Sequence, residues 1–244
     1  MLGNLSTLCS SAGVTEDYIP SSMSDMGIEE ANNIEFTLEL IELKLRGNGT
    51  LPAIASLESS GTQYINTGLT PTTNIDIEIV ASAEETEDIL SAIFGWRKTD
   101  TSTIELGVAS LSYFYMFIPS ANISKRVLVW NEYYTIKLSI RADKQTVEIK
   151  DNQGTIVYSK ELAESVTFDN SGTLFLYAYN NNGTASRKFK GSINACKIWQ
   201  DGKLVRDYEP SCTYDSNNVK TACLYDNVTQ TAYYNAGTGD FIYN

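Results

Sequence analysis

Histidine is absent from this chain of 244 residues. Its absence removes the commonest general base, the usual zinc ligand and every Ser-His or Cys-His nucleophile arrangement. An enzyme built from this sequence has to run on carboxylates, lysine, tyrosine or a bound metal, so the expectation is a protein with no catalytic residues. Cysteine is scarce. The four cysteines, Cys9, Cys196, Cys212 and Cys223, form no CxxC pair and no zinc spacing, so neither a metal site nor another cofactor is expected. Cys196 and Cys212 flank a hairpin signal that can bring them near each other; reduced thiols are expected during folding, and later oxidation to a bridge stays open.

Long apolar runs are also missing. No stretch of 18 apolar residues exists, so no helix spans a bilayer. The start, Met1 to Cys9, has no basic region and no sustained apolar segment, and it reads as no signal peptide. The five Asn-x-Ser/Thr sequons, at Asn4, Asn48, Asn122, Asn182 and Asn227, then carry no expectation of glycosylation. Positive charge is in deficit, with 18 Lys and Arg against 30 Asp and Glu. A formal charge of −12 repels phosphate backbones and anionic lipid, which argues against nucleic acid and membrane surfaces as partners.

What is present suits β structure. Tyrosine is plentiful, and Thr and Ile are common; these residues fit a pleated, half-buried surface. The chain divides in two. Residues 1–54 hold most of the methionines and a Ser-rich stretch at Ser21-Ser22-Met23-Ser24. The segment Ile34–Arg46 reads as an alternating strand with a slip at Ile41, or as a helix with Ile34, Leu38, Ile41 and Leu45 on one stripe. Phe36, Leu40 and Leu43 form a second apolar line. Either way two apolar sides call for contact with another chain or domain, so these residues are the candidates for attachment and oligomerisation.

Gly47-Asn-Gly-Thr-Leu-Pro52 reads as a linker. Residues 55–244 then read as many short strands. Among those expected are Ile75–Ala81, Ile89–Trp96, Thr103–Val108, Ser112–Ile118, Arg126–Trp130, Tyr134–Arg141, Thr146–Lys150, Thr173–Tyr179, Gly191–Gln200 and Lys203–Tyr208. Turn signals stand at Asp151–Gly154, Asn180–Gly183 and Asp201-Gly202. The fold class expected is mostly β, an antiparallel jelly-roll sandwich of two sheets.

Two stretches carry a resemblance. One is Leu57-Glu-Ser-Ser-Gly-Thr-Gln-Tyr-Ile-Asn-Thr-Gly68. The other runs from Leu174-Phe-Leu-Tyr-Ala-Tyr-Asn-Asn-Asn-Gly-Thr184 through Gly191–Trp199 and Lys203–Pro210 to Tyr234-Asn-Ala-Gly-Thr-Gly-Asp-Phe241. Over residues 55–244 the chain resembles the concanavalin A-like (laminin-G-like) jelly-roll modules of tailed-bacteriophage and prophage virion proteins. The resemblance implies a lectin-like sandwich on a fibre, spike, tail or capsid. Other virion proteins and host-surface glycans are its implied partners, with localisation in the virion. A short segment ahead of such a module implies docking and homo-oligomerisation, as a trimer. A bacterial surface lectin or adhesin, and an architectural sandwich without ligand, are the alternatives.

Candidate ligand residues are aromatics beside amides: Trp96, Tyr113, Tyr115 and Tyr179, with Asn180 and Asn182. Trp130 and Trp199, flanked by Val and Ile, read as core. Asn74-Ile-Asp76-Ile-Glu78 aligns acidic side chains on one face of a strand. The first position is an amide, which cannot serve as the nucleophile of a retaining glycosidase. The cluster Glu84, Glu85, Glu87 and Asp88 reads as a solvated loop rather than a Ca²⁺ site. Arg206 and Asp207 read as a framework ion pair.

Overall fold

A computed structural model describes residues 54–87, 90–99, 102–118, 121–163, 172–215 and 219–243. Ile34, Leu38, Ile41, Leu45, Cys9 and Asp88 lie outside the described residues. Every regular element among the described residues is a strand, and the strands form two sheets packed as a sandwich.

Alternation explains the strands. In β3 (Ile75–Ala83), Ile75, Ile77 and Ile79 are buried while Asp76 and Glu78 face outward. β8 (Tyr133–Ile140) buries Ile136, Leu138 and Ile140, and β9 (Gln145–Lys150) buries Val147 and Ile149. The larger sheet places these beside β10 (Ile156–Leu162) at one edge, in the order β10-β9-β8-β3. It continues through β14 (Lys190–Gln200), β15 (Lys203–Tyr214), β16 (Lys220–Asp226) and β17 (Thr231–Tyr233). β1 (Leu57–Ser60) lies against the first half of β14 and pairs on its other side with β18 (Ile242–Tyr243).

The smaller sheet is centred on β4 (Ser91–Thr99), β5 (Ser102–Ala109) and β6 (Tyr113–Ile118), with β7 (Ala121–Arg126) at its edge. β12 (Tyr179–Asn181) pairs with β4 in parallel, and β13 (Thr184–Ser186) closes the other edge. β11 (Phe175–Leu176) bridges β4 to β2 (Ile65–Asn66). Ile104, Leu106, Phe114 and Met116 of this sheet meet the isoleucines of β3 and β9 in one continuous core. Phe114 meets Tyr134 edge-on, with ring centroids 5.4 Å apart.

Turn residues stand where the signals placed them. Asp201 and Gly202 have φ of 51° and 74°, and Asn182 and Gly183 have 52° and 96°. Positive φ at both central positions is the hairpin turn whose twist matches the flanking strands.

Three expectations need correction. The strand read at Arg126–Trp130 lies instead at Ala121–Arg126. The segment Thr173–Tyr179 is broken at Tyr177, whose φ is 60°. Cys196 and Cys212 are not neighbours. Cys196 is opposite Tyr208, and Cys212 lies four residues further along β15, about 13 Å away at strand rise.

Candidate functional site

The outer face of the larger sheet carries an open groove. Its floor spans β9, β8, β3 and β14, a width of about 14 Å at the usual strand spacing. The depression encloses about 530 Å³ and is lined by Asp76, Glu78, Lys137, Ser139, Glu148 and Trp199 among others.

Register builds it in two cross-strand rows. Thr146, Ser139, Asp76 and Trp199 are opposite one another across four strands. In the next row stand Glu148, Lys137, Glu78, Lys197 and Asp207, alternating in sign at every step. Opposite charges directly across a sheet stabilise the pairing. Lys137 Nζ reaches Glu78 at 2.7 Å, and Arg141 grips both oxygens of Asp76 at 2.9 and 2.7 Å. The hydrogen bond to Glu78 pushes the Lys137 ammonium above its usual range. Each carboxylate is thus held in place while remaining about one third exposed, with lone pairs left for hydroxyl donors.

Trp199 is half-buried and faces outward, which corrects its expected place in the core. The reason is parity. Cys196 and Ile198 point inward from β14, so Trp199 cannot. That signal was present in the sequence, because adjacent residues of a strand face opposite sides.

The opposite correction applies to Trp96, which is 1% exposed within the core. β4 has a register shift between Ala92 and Phe94, and both Ile93 and Phe94 are buried. The bulge shifts the inward set so that Trp96 joins it. Tyr115 and Tyr179 are on the outer face of the smaller sheet but are themselves only 2% exposed. Tyr115 donates its hydroxyl to Glu105 at 2.7 Å, and the Tyr179 hydroxyl accepts from Arg97 at 3.1 Å. Desolvation raises both phenols, Tyr115 strongly. Asn180 is buried and structural: its amide donates to the Thr173 carbonyl at 2.6 Å and its oxygen takes the Gly183 N–H at 2.7 Å. Tyr113 is half-buried and Asn182 exposed, so of the six expected ligand residues these two keep accessible side chains.

Asn74 donates to Asp201 at 3.0 Å and so fastens the β14–β15 turn rather than facing a reacting group. Glu84 pairs with Lys190 at 2.8 Å. No group of metal ligands occurs among the described residues. Arg206 and Asp207 do not pair with each other: Asp207 pairs with Lys197 at 3.3 Å, and Arg206 approaches Asp226 at 3.6 Å.

The sequence matches no protein-family model and no curated protein sequence. Solved structures do resemble it. A candidate carbohydrate-binding protein from Bacteroides ovatus superposes with a TM-score of 0.54 at 14% identity, over 79% of this chain and 60% of that one. The chain therefore spans about three fifths of that protein's length. The CBM40 module of a Ruminococcus gnavus sialidase, solved with α2,3-sialyllactose, gives 0.48 at 13% identity, over 63% of this chain and 93% of that module. Tailspike protein 2 of an Escherichia coli O157:H7 bacteriophage gives 0.47 at 10% identity, over 63% of this chain and 25% of the tailspike. At 14% identity the likeness to the Bacteroides ovatus structure shows the fold alone, a two-sheet antiparallel β-sandwich, as expected from the sequence.

Proposed function

We propose that residues 54–243 form a non-catalytic glycan-binding module. The observation that carries this reading is Trp199, half-exposed in the groove of about 530 Å³, with Asp76 directly across the strand pair. An indole offers an apolar plane to the C–H face of a pyranose, and fixed polar groups around a concavity set orientation. The alternating charged row beside it supplies carboxylate acceptors and ammonium donors already locked by one another. The carboxylates are committed to Arg141 and Lys137, and the position a glycosidase nucleophile would occupy is Asn74. Both facts favour binding over hydrolysis. The Bacteroides ovatus protein, described as a candidate for carbohydrate binding, supports the same direction.

The test is a neutral-oligosaccharide array followed by tryptophan fluorescence. Binding should quench or shift Trp199 emission, and Trp199→Ala should abolish it while lowering the melting temperature by no more than about 4 °C. Binding that survives Trp199→Ala unchanged would remove the groove from the account.

For placement we propose display on a virion, with residues 1–54 attaching and trimerising the module. The support is the resemblance of residues 55–244 to phage modules and the two-sided apolar pattern of Ile34, Leu38, Ile41 and Leu45. Light scattering should give a trimer for the full chain and a monomer after Ile34→Asp with Leu38→Asp; a monomer in both sinks the assembly role. A bacterial surface lectin is the second reading, favoured by the Bacteroides ovatus likeness. Immunolabelling of purified particles against cell surfaces separates the two.

A further inference from the structure

The outer face of the smaller sheet is not explained by the groove on the other sheet. It holds a carboxylate, Glu105, that is only 1% exposed. A charge so placed is tolerated only when paired and hydrogen-bonded. Arg187 Nη1 donates to both of its oxygens, at 2.8 and 2.7 Å, and Tyr115 adds its hydroxyl at 2.7 Å. The guanidinium lies 5.2 Å from the Tyr179 ring and 5.7 Å from the Phe117 ring. Glycines make the room. A Cβ on Gly107 would come within 2.7 Å of the Tyr115 hydroxyl, and one on Gly95 within 3.1 Å of the Tyr179 ring.

Arg187 is fixed at both ends. Its φ is 49°, a left-handed conformation unusual for an arginine, and its carbonyl accepts the Ala92 N–H at 2.7 Å. Both bonds to Glu105 come from Nη1, which leaves the Nε–Nη2 edge of a side chain that is 31% exposed. That edge is the fork that takes an oxyanion side-on. A pre-positioned fork loses little freedom on binding.

Two further features point to what it takes. The outward positions of these strands, with the residue that follows β13, carry Arg97, Arg126 and Arg187 against Glu105 alone, in a chain of charge −12. And beside the fork lies a half-buried apolar ring, Phe117, with Asn122 opposite it and Ser124 opposite Tyr115 on the exposed edge strand. A cationic fork, an apolar plane, an amide and a hydroxyl match a sugar that bears a carboxylate better than a bare phosphate.

We propose that this face is a second binding site, for a carboxylate-bearing sugar, with Arg187 taking the carboxylate side-on, the Phe117 ring the apolar face of the pyranose, and Asn122 and Ser124 its hydroxyls. It is independent of the Trp199 groove.

The experiment uses the full chain, labelled with ¹⁵N and titrated with glucuronic acid, N-acetylneuraminic acid, glucose, N-acetylglucosamine and inorganic phosphate. The acid sugars should give saturable shifts at Arg187, Phe117 and Ser124, and the neutral ones none there. Arg187→Lys keeps the charge but loses the fork, and should weaken the acids at least tenfold. Because that change also disturbs Glu105, Phe117→Ala is the second variant; it leaves the ion pair intact and should weaken the acids several-fold. Trp199→Ala should leave these shifts unchanged. Phosphate binding as tightly as glucuronic acid, equal shifts from acid and neutral sugars, or no loss in either variant would each overturn the proposal.

Discussion

Gln63 and Asp240 lie 177 residues apart in sequence, and the Gln63 side-chain amide donates to the Asp240 carbonyl at 2.8 Å. The same side chain's oxygen accepts from the Ser60 N–H at 2.9 Å and the Ser59 hydroxyl at 3.0 Å. Around it, Thr62 bonds to the Thr238 carbonyl and Tyr64 N–H to the Asn235 side chain. The opening and closing segments of the sandwich are thereby clasped together. These are the two stretches on which the family resemblance rests, so their residue choices follow from the fold.

Gln63 is 2% exposed, so removing its amide strands polar partners that water reaches poorly. Gln63→Ala should cost about 1–3 kcal/mol. In a domain of this size that is a fall in melting temperature of roughly 2–4 °C per kcal/mol. Gly237→Ala should cost more, since its Cβ would sit 2.3 Å from the Thr62 carbonyl oxygen and the backbone would have to move. Thermal unfolding of both variants checks this; wild-type melting of Gln63→Ala would show the clasp to be ornamental.

Tyr177 ties the two sheets. It follows β11 of the smaller sheet, while its hydroxyl donates to the Leu57 carbonyl in β1 and accepts the Ile193 N–H in β14. The ring is fully buried against Phe189 and Phe241. Tyr177→Phe keeps the packing and removes both bonds, so it should destabilise by about 1–3 kcal/mol, read as a lower denaturant midpoint at unchanged slope.

Much of this architecture is legible in the amino-acid sequence because period 2 is a strong signal. Ile75-Asp-Ile-Glu-Ile and Tyr133–Ile140 alternate, and they became adjacent central strands. Asp201-Gly202 named its hairpin outright. The failures have physical causes. β7 is an edge strand with few apolar residues, Ala121-Asn-Ile-Ser-Lys-Arg126, so hydrophobicity pointed past it to Val127–Trp130. Tyr177 breaks its run by adopting positive φ, and nothing in a tyrosine announces that. Among the candidate ligand residues, one bulge in β4 carried Trp96 inward, and Tyr115 and Tyr179 are covered on the outer face by their own partners. The Arg187–Glu105 pair joins residues 82 apart in sequence, and no local pattern reports such a contact.

Alkaline pH should destabilise the fold through its thiols. Cys223 is fully buried, and desolvation, with Cys212 as a lesser cause, pushes its thiol up to about 12. Cys196 is raised further, first by burial and then by Asp207. An unfolded thiol ionises near 8.5. Above that pH the unfolded chain loses a proton that the folded chain keeps, so stability is whole below about 8.5 and falls as pH rises toward 12. The slope contributed by each such thiol approaches about 1.4 kcal/mol per pH unit. Denaturant midpoints between pH 7.5 and 10.5 should show it, and Cys223→Ala should flatten the curve. A midpoint that holds steady to pH 10.5 would refute the burial of these thiols. The same burial predicts that dithionitrobenzoate labels Cys196 and Cys223 only after denaturant is added.

The two tryptophans that exchanged places give the sharpest contrast. Trp96 lies in the core and Trp199 on the groove, and the residue type is the same. Trp96→Ala leaves a large void between the sheets and should cost about 3–5 kcal/mol. Trp199→Ala removes a side chain whose outer plane already meets water, so its cost should stay near 1 kcal/mol or below. Emission should separate them as well: acrylamide should quench Trp199 readily and Trp96 hardly at all, which Trp96→Phe and Trp199→Phe, each made together with Trp130→Phe, would isolate in turn. The decisive pattern is a crossed one, with sugar-dependent emission lost only in Trp199→Phe and thermal stability lost chiefly in Trp96→Ala. If instead Trp199→Ala unfolds the protein while Trp96→Ala is tolerated, the parity assigned to β4 and β14 is inverted, and the groove that the binding proposal rests on does not exist.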